Sequence, residues 1–365
     1  MTNMLNQSTG LPRLTKTKGI ILASLIAGAM PLPRGPKTKF LSIMSQIRFS
    51  IFFAATVLAA TTLHADTIVT YPPGTILENI AIAPAGDLFV SDLGSGTLFR
   101  ISPGGSSQVF GRVPGPLAGV ALNTDGTVVA ASGTSFYRFA RDGTPTLVTD
   151  IAGAGFLNGV TLFSPGTFLV ADHAADLIWR VDLRTGRASP WLTGSLLVPP
   201  AGGLPIGPNG IKLFGGAAYI SITGAGTILR VPILPDGAAG PPEVYAYLQV
   251  DDFAFGSDGS IFAANQQGEI IRLYPNGVRT SLPTGTLGDA AVAFGRTAAD
   301  RHDIYIVNNG GAFLGLPGGP GPASVVRLST DTTGVVPESQ VHRDSKGGEE
   351  DEEDNRETHG HSGRD

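Results

Sequence analysis

Residues 86–101 read Gly-Asp-Leu-Phe-Val-Ser-Asp-Leu-Gly-Ser-Gly-Thr-Leu-Phe-Arg-Ile. Two short apolar runs joined by a glycine-rich turn have the pattern of an antiparallel hairpin. The unit recurs six times. Return strands Leu88-Phe89-Val90, Val128-Val129-Ala130, Phe168-Leu169-Val170, Ala218-Tyr219-Ile220, Ile261-Phe262-Ala263 and Ile304-Tyr305-Ile306 are each followed by a strand with an arginine in the same place: Arg100, Arg138, Arg180, Arg230, Arg272 and Arg327. The steps between the arginines run from 38 to 55 residues, which is the spacing of a four-stranded propeller blade.

Outward from this unit the rest of each repeat follows. A turn glycine precedes five of the return strands (Gly86, Gly126, Gly166, Gly216, Gly259), while the sixth repeat has the longer polar segment Thr297 to Asp303. An outer strand follows the arginine strand, as in Thr146–Thr149 and Val244–Tyr247. The sixth repeat lacks one, and Thr67-Ile68-Val69-Thr70-Tyr71 at the other end supplies it, closing the ring and removing two exposed edges. The predicted fold is all-β: a six-bladed β-propeller of four-stranded blades over residues 66–334, closed by its N-terminal strand. An arginine present in every blade reads as structural, its stem between blades and its head at the rim.

Composition narrows the function classes. The 365 residues hold 50 glycines, 27 prolines and only 15% charged residues, which suits short strands and tight turns. There are no cysteines, so disulfides and thiolate chemistry are excluded. A net charge of −5 and the lack of a basic stripe argue against a nucleic-acid partner. Arg48 followed by the apolar run Ile51 to Leu63 and the small residue Ala65 reads as a secretory signal with a start near Met44; residues 1–65 are then an extension and signal, and the protein is secreted, extracellular or periplasmic, with no stable membrane span. Residues 335–365, with the run Glu349 to Asp354, are expected to be a disordered acidic tail.

The repeat supplies a phase. At the position two before the first apolar residue of each inner strand stand Glu78, Ala118, Asn158, Asn209, Asp251 and Ala290. Equivalent ends of inner strands converge on the propeller axis, so four oxygen-bearing side chains share one centre. Two carboxylates and two amides suit a hard divalent cation, Ca²⁺ first, with Mg²⁺, Mn²⁺ or Zn²⁺ as alternatives. The competing reading is that Asn158-Gly159 and Asn209-Gly210 are turn dipeptides and the two acids are solvated.

The segments Glu78-Asn79-Ile80, Leu157-Asn158-Gly159-Val160, Pro208-Asn209-Gly210-Ile211 and Val250-Asp251-Asp252-Phe253 resemble the metal-site segments of the senescence-marker-protein, gluconolactonase and luciferin-regenerating-enzyme family, over roughly residues 67–330. The resemblance implies a regucalcin-like propeller with Glu78, Asn209 and Asp251 as metal ligands and Asn158 as a ligand or substrate contact. It also implies lactone or ester hydrolysis, with Asp251 as general base. Some members carry an arginine for sugar lactones where this chain has Gly155-Phe156-Leu157, which suits a more apolar lactone or ester.

His173, after the third return strand, is a second candidate acid or base, set against a plain solvated histidine; Asp172 beside it matches Asp92, Asn265 and Asn308 and reads as a turn cap. Two Gly- and Pro-rich loops, Leu196–Pro208 and Gly310–Ala323, lie on the same face and read either as a lid or as tolerated insertions. The alternatives to a hydrolase are a non-catalytic binding propeller with a structural cation, or a strictosidine-synthase-like enzyme. No GxSxG elbow, phosphate loop or His-x-x-x-His pair occurs in the propeller segment.

Overall fold

The computed structural model describes residues 65–335; the readings of the signal segment and the acidic tail lie outside the described residues. It contains 24 strands in six sheets of four. β1 is Asp66–Pro73. Blade 1 is β2 (Leu77–Ile82), β3 (Leu88–Asp92), β4 (Thr97–Ile101) and β5 (Ser107–Arg112); blade 2 is β6 (Leu117–Leu122), β7 (Val128–Ser132), β8 (Ser135–Phe139) and β9 (Pro145–Asp150). Blade 3 is β10 (Leu157–Ser164), β11 (Thr167–Asp172), β12 (Leu177–Asp182) and β13 (Ala188–Thr193); blade 4 is β14 (Pro208–Phe214), β15 (Ala217–Ile222), β16 (Thr227–Pro232) and β17 (Glu243–Tyr247). Blade 5 is β18 (Phe253–Phe255), β19 (Ile261–Asn265), β20 (Glu269–Leu273) and β21 (Arg279–Pro283), and blade 6 is β22 (Asp289–Phe294), β23 (Asp303–Asn308) and β24 (Pro322–Ser329). β1 pairs antiparallel with β24 and completes the sixth sheet, as its sequence predicts. Among the described residues no helix is long and apolar enough to cross a membrane.

The blades hold together face to face. One cluster joins Ile80 and Ile82 of blade 1 to Ala291, Val307 and Val325 of blade 6; another joins Leu169 and Ile178 of blade 3 to Ile211, Ile220 and Leu229 of blade 4. Each buried aliphatic side chain contributes about 1.5–3 kcal/mol, so no blade needs a core of its own.

Most of the repeated arginines tie sheet rims. Arg100 pairs with Asp87 at 2.7 Å, Arg230 with Glu243 at 2.9 Å, and Arg327 with Asp66 at 3.2 Å. Arg272 is buried; it bridges Asp258 at 2.8 Å and Asp331 at 2.5 Å and lies over the Tyr274 ring at 4.4 Å. Arg180 stacks over Phe163 at 5.0 Å, and Arg138 is exposed.

Candidate functional site

Five of the six inner strands break register at the same place. The irregularities fall between Leu77 and Ile80, Leu117 and Val120, Leu157 and Val160, Pro208 and Ile211, and Asp289 and Ala291. In blade 5 the strand starts only at Phe253, after Asp251 and Asp252. A bulge re-aims the side chain it carries. Here it sits at the residues that break the six-fold sequence symmetry.

Glu78 on β2, Asn158 on β10, Asn209 on β14 and Asp251 before β18 come together there. Asn158 Nδ2 donates to Glu78 Oε1 at 3.2 Å, and Asn209 Nδ2 donates to Asp251 Oδ1 at 2.5 Å. Gln266 Nε2 donates to Asp251 Oδ2 at 2.7 Å, and Thr223 Oγ1 accepts from Asn209 Nδ2 at 3.1 Å. Glu78, Asn158 and Asn209 are buried. Burial pushes the Glu78 carboxyl up to about 7, opposed by its hydrogen bond from Asn158. Asp251 is held well above the usual carboxylate range by burial and by the neighbouring charge of Glu78.

The Asn-Gly steps are not turns. Both lie inside strands, and a Cβ at Gly119, Gly159 or Gly210 would run into backbone or carboxylate oxygen of the next blade (Asn158 O, Asn209 O and Asp252 Oδ1). In blades 2, 3 and 4 the inner strand approaches the next one so closely at this level that only glycine fits.

A second polar layer lies one residue further along. Asp252 is buried, accepts from Asn79 Nδ2 at 3.1 Å and pairs with Lys212 Nζ at 2.6 and 2.7 Å. The Lys212 ammonium also lies 5.8 Å from the Phe253 ring centroid. Adjacent aspartates thus separate: Asp251 faces Glu78 and Asn209, Asp252 the cation below. Sequence reasoning gave no role to Lys212, Asn79 or Gln266. The signal for Lys212 was present: three residues beyond the symmetry-breaking position the blades carry Ala81, Ala121, Thr161, Lys212, Ala254 and Ala293.

His173 lies on the same face but does not hydrogen-bond to these four residues. Asp172 is a cap, as its position suggested: it accepts from the backbone N–H of Gly155, Phe156, Ala174 and Ala175 and from Trp179 Nε1. It thereby fixes the loop that stacks Phe156 on the His173 ring, with centroids 4.7 Å apart and planes at 13°. Burial pushes the His173 imidazole down, against the opposing charges of Asp172 and Asp176. The loop before β14 is tied to this turn, Gly207 N donating to His173 O at 3.0 Å. It exposes Leu196, Val198 and Leu204, and the loop after β23 exposes Phe313.

Among the described residues, the buried side-chain polar atoms without a partner are Glu78 Oε2, His173 Nδ1, Gln266 Oε1 and Asn309 Nδ2. All four belong to the strand ends at this one face. Also among the described residues, no cluster of three His, Cys, Asp or Glu side chains is placed to hold a metal. The donor set is instead two carboxylates with amides. Buried Glu78 with its free Oε2, half-buried Asp251 and the amides of Asn158 and Asn209, beside a lysine already committed to Asp252, are a donor set that a hard divalent cation would fit.

No known family model matches the chain. Among solved structures it superposes on regucalcin, a calcium-binding protein from Agrobacterium tumefaciens, with a TM-score of 0.62 and 16% identity, over 77% of this chain and 98% of that one. It superposes on a luciferin-regenerating enzyme with a TM-score of 0.62 and 12% identity, over 75% and 98% of the two chains. A gluconolactonase from Xanthomonas campestris, XC5397, gives 0.57 and 17% identity over 72% and 88%. The chain has the fold of these propellers. In sequence it is 31% identical over 155 residues to asR5 of Sarocladium schorii, named as a hetero-Diels-Alderase; the match covers 35% of this chain and 38% of that protein.

Proposed function

We propose that the chain is a secreted hydrolase that opens an apolar lactone or related ester with a divalent cation, Ca²⁺ first, at the channel mouth. The observation that carries this reading is the Glu78–Asp251 pair: a buried and a half-buried carboxylate from blades 1 and 5, bracketed by amides, with Glu78 Oε2 unpartnered. The propeller fold shared with a gluconolactonase and a calcium-binding protein supports it. A bound divalent cation would polarise the substrate carbonyl and acidify a water at this site.

The chain's own residues do the rest. Asp251, oriented by Asn209 and Gln266, takes the water's proton on a carboxylate oxygen while the carbonyl carbon gains the hydroxyl and the ring C–O bond breaks. Asp251 then returns that proton to the leaving oxygen, which becomes the alcohol of the hydroxy acid, and the carboxylate is regenerated. His173 keeps Nδ1 without a partner beside the stacked Phe156, whose ring would present an apolar wall to the substrate. The exposed apolar residues of the two loops, Leu204 and Phe313 among them, are placed to cover a bound apolar molecule and exclude water.

The test is metal analysis of the purified protein beside a panel of lactones and esters, with and without chelator. Turnover lost on chelation, restored by Ca²⁺ and absent in folded Asp251→Ala supports the reading; turnover that survives chelation or Asp251→Ala overturns it. A second reading rests on the identity with asR5: a cavity that pairs a heterodiene with an alkene, needing shape and hydrogen-bond donors but no metal or nucleophile. Chelator-insensitive cycloaddition would favour it. Metal-dependent stability without turnover of any substrate would favour a binding propeller.

A further inference from the structure

The other end of the channel carries a second symmetry break. Five blades join inner and return strand by a short glycine-containing turn, and the sixth inserts Thr297 to Asp303. This insertion is built, not loose. Asp300 Oδ1 accepts from Thr297 N and Oγ1, each at 2.7 Å, Tyr305 OH donates to Asp300 Oδ2 at 3.0 Å, and Arg301 N donates to Thr297 O. Asp300 is thus occupied, and the Arg301 guanidinium is exposed with no ion-pair or hydrogen-bond partner among the described residues.

Arg301 stands at the mouth of a cavity of about 460 Å³, within the range of small-molecule sites. Its walls are the far ends of the inner strands, with Leu122, Leu213, Phe255 and Phe294, and the chain after β24, which Val335 N ties to Phe255 O at 3.1 Å. Among the described residues no aspartate or glutamate lines it, whereas Arg296, Arg301 and Lys212 do. Lys212 forms the roof, its charge held by Asp252; Arg296 donates to Ile82 O at 3.1 Å across the join of blades 6 and 1. An apolar shaft with the exposed Arg301 guanidinium at its mouth selects a molecule with an apolar body and one anionic head.

We propose that this cavity binds a monoanionic amphiphile, with its carboxylate at Arg301 and its hydrocarbon chain inside the channel. The site is distinct from the Glu78–Asp251 centre at the opposite face, and the Lys212–Asp252–Asn79 layer lies between them. It does not depend on the hydrolase reading.

The test is calorimetric titration of the full chain, in chelator and below micelle-forming concentrations, with dodecanoate, dodecan-1-ol and dodecyltrimethylammonium. Dodecanoate is expected to bind one per chain, about tenfold or more tighter than the alcohol or the ammonium, the worth of one charged hydrogen-bonded pair. Arg301→Ala, an exposed change that leaves the fold intact, should bring dodecanoate to the affinity of the alcohol. Ala293→Phe should fill the shaft and weaken both, while Glu78→Gln should leave dodecanoate binding unchanged. Equal affinity for the three head groups, an unaltered Arg301→Ala variant, or loss of binding in Glu78→Gln would each overturn the proposal. If Ala293→Phe fails to fold, the head-group series and Arg301→Ala still decide it.

Discussion

Replacing Glu78 by glutamine keeps the side chain's size and its contact with Asn158 while removing one carboxylate of the Glu78–Asp251 pair. The Glu78 carboxyl rises from 4.5 to about 7, chiefly because burial penalises its charged form. An acid whose pKa is raised by folding contributes stability that is fully present below the unfolded value and is lost as pH rises through the folded one. The window here runs from about pH 4.5 to above 7, and the shift corresponds to roughly 3 kcal/mol. Asp251 shifts the same way, with Glu78 its largest charged perturber, so removing Glu78 relieves both groups. In chelator, the wild-type melting temperature should therefore fall between pH 5 and 8, and that of Glu78→Gln should stay flatter and higher at pH 8. Added Ca²⁺ at a hundred times its Kd should restore about 2.7 kcal/mol to the wild type by mass action, and much less to the variant. Thermal denaturation at matched ionic strength, with and without Ca²⁺, reads both effects. An unchanged pH slope in the variant, or an equal Ca²⁺ response, would refute the reasoning.

Lys212→Met should destabilise the protein by about 3 kcal/mol, because it strands the buried Asp252 with only Asn79 for a partner; urea unfolding with an Asp252→Asn cycle measures the coupling. In Gly159→Ala the new Cβ would collide with Asn209 O and lie 3.1 Å from Gly210 Cα, so a loss of about 1–3 kcal/mol and weaker Ca²⁺ binding are expected in melting and titration. Asp289 is fully buried and held at about 6 despite hydrogen bonds from Thr284 and Thr286. Its raised pKa costs the wild type roughly 3 kcal/mol between about pH 4 and 7, and Asp289→Asn should remove that slope.

The strand order was legible because strand patterns are local: apolar runs, turn glycines and a recurring arginine define each hairpin within about twenty residues. Closure by Thr67–Tyr71 was legible because the sixth repeat visibly lacks a strand. Glu78, Asn158, Asn209 and Asp251 could be singled out because the repeat itself marks where symmetry fails. The Asn-Gly reading as turns failed for a nonlocal reason. Those glycines are small because the neighbouring inner strand, some fifty residues away for Gly159, leaves no room for a Cβ. His173 was chosen by its place in the chain, but its stacking on Phe156 depends on Asp172 gathering two loops at once.

By itself, the sequence determined the architecture and the level along the axis at which chemistry is concentrated, since both follow from periodicity. Only the tertiary structure decided how the polar groups there are paired. Asp251 and Asp252 are adjacent in the chain yet face different partners, Asn209 in one case and Lys212 in the other. Which cation neutralises which carboxylate depends on distances between blades, and a linear pattern carries no such distance. The same holds at the far mouth: the Thr297–Asp303 insertion was visible as an irregularity, but folding alone set Arg301 over an apolar shaft.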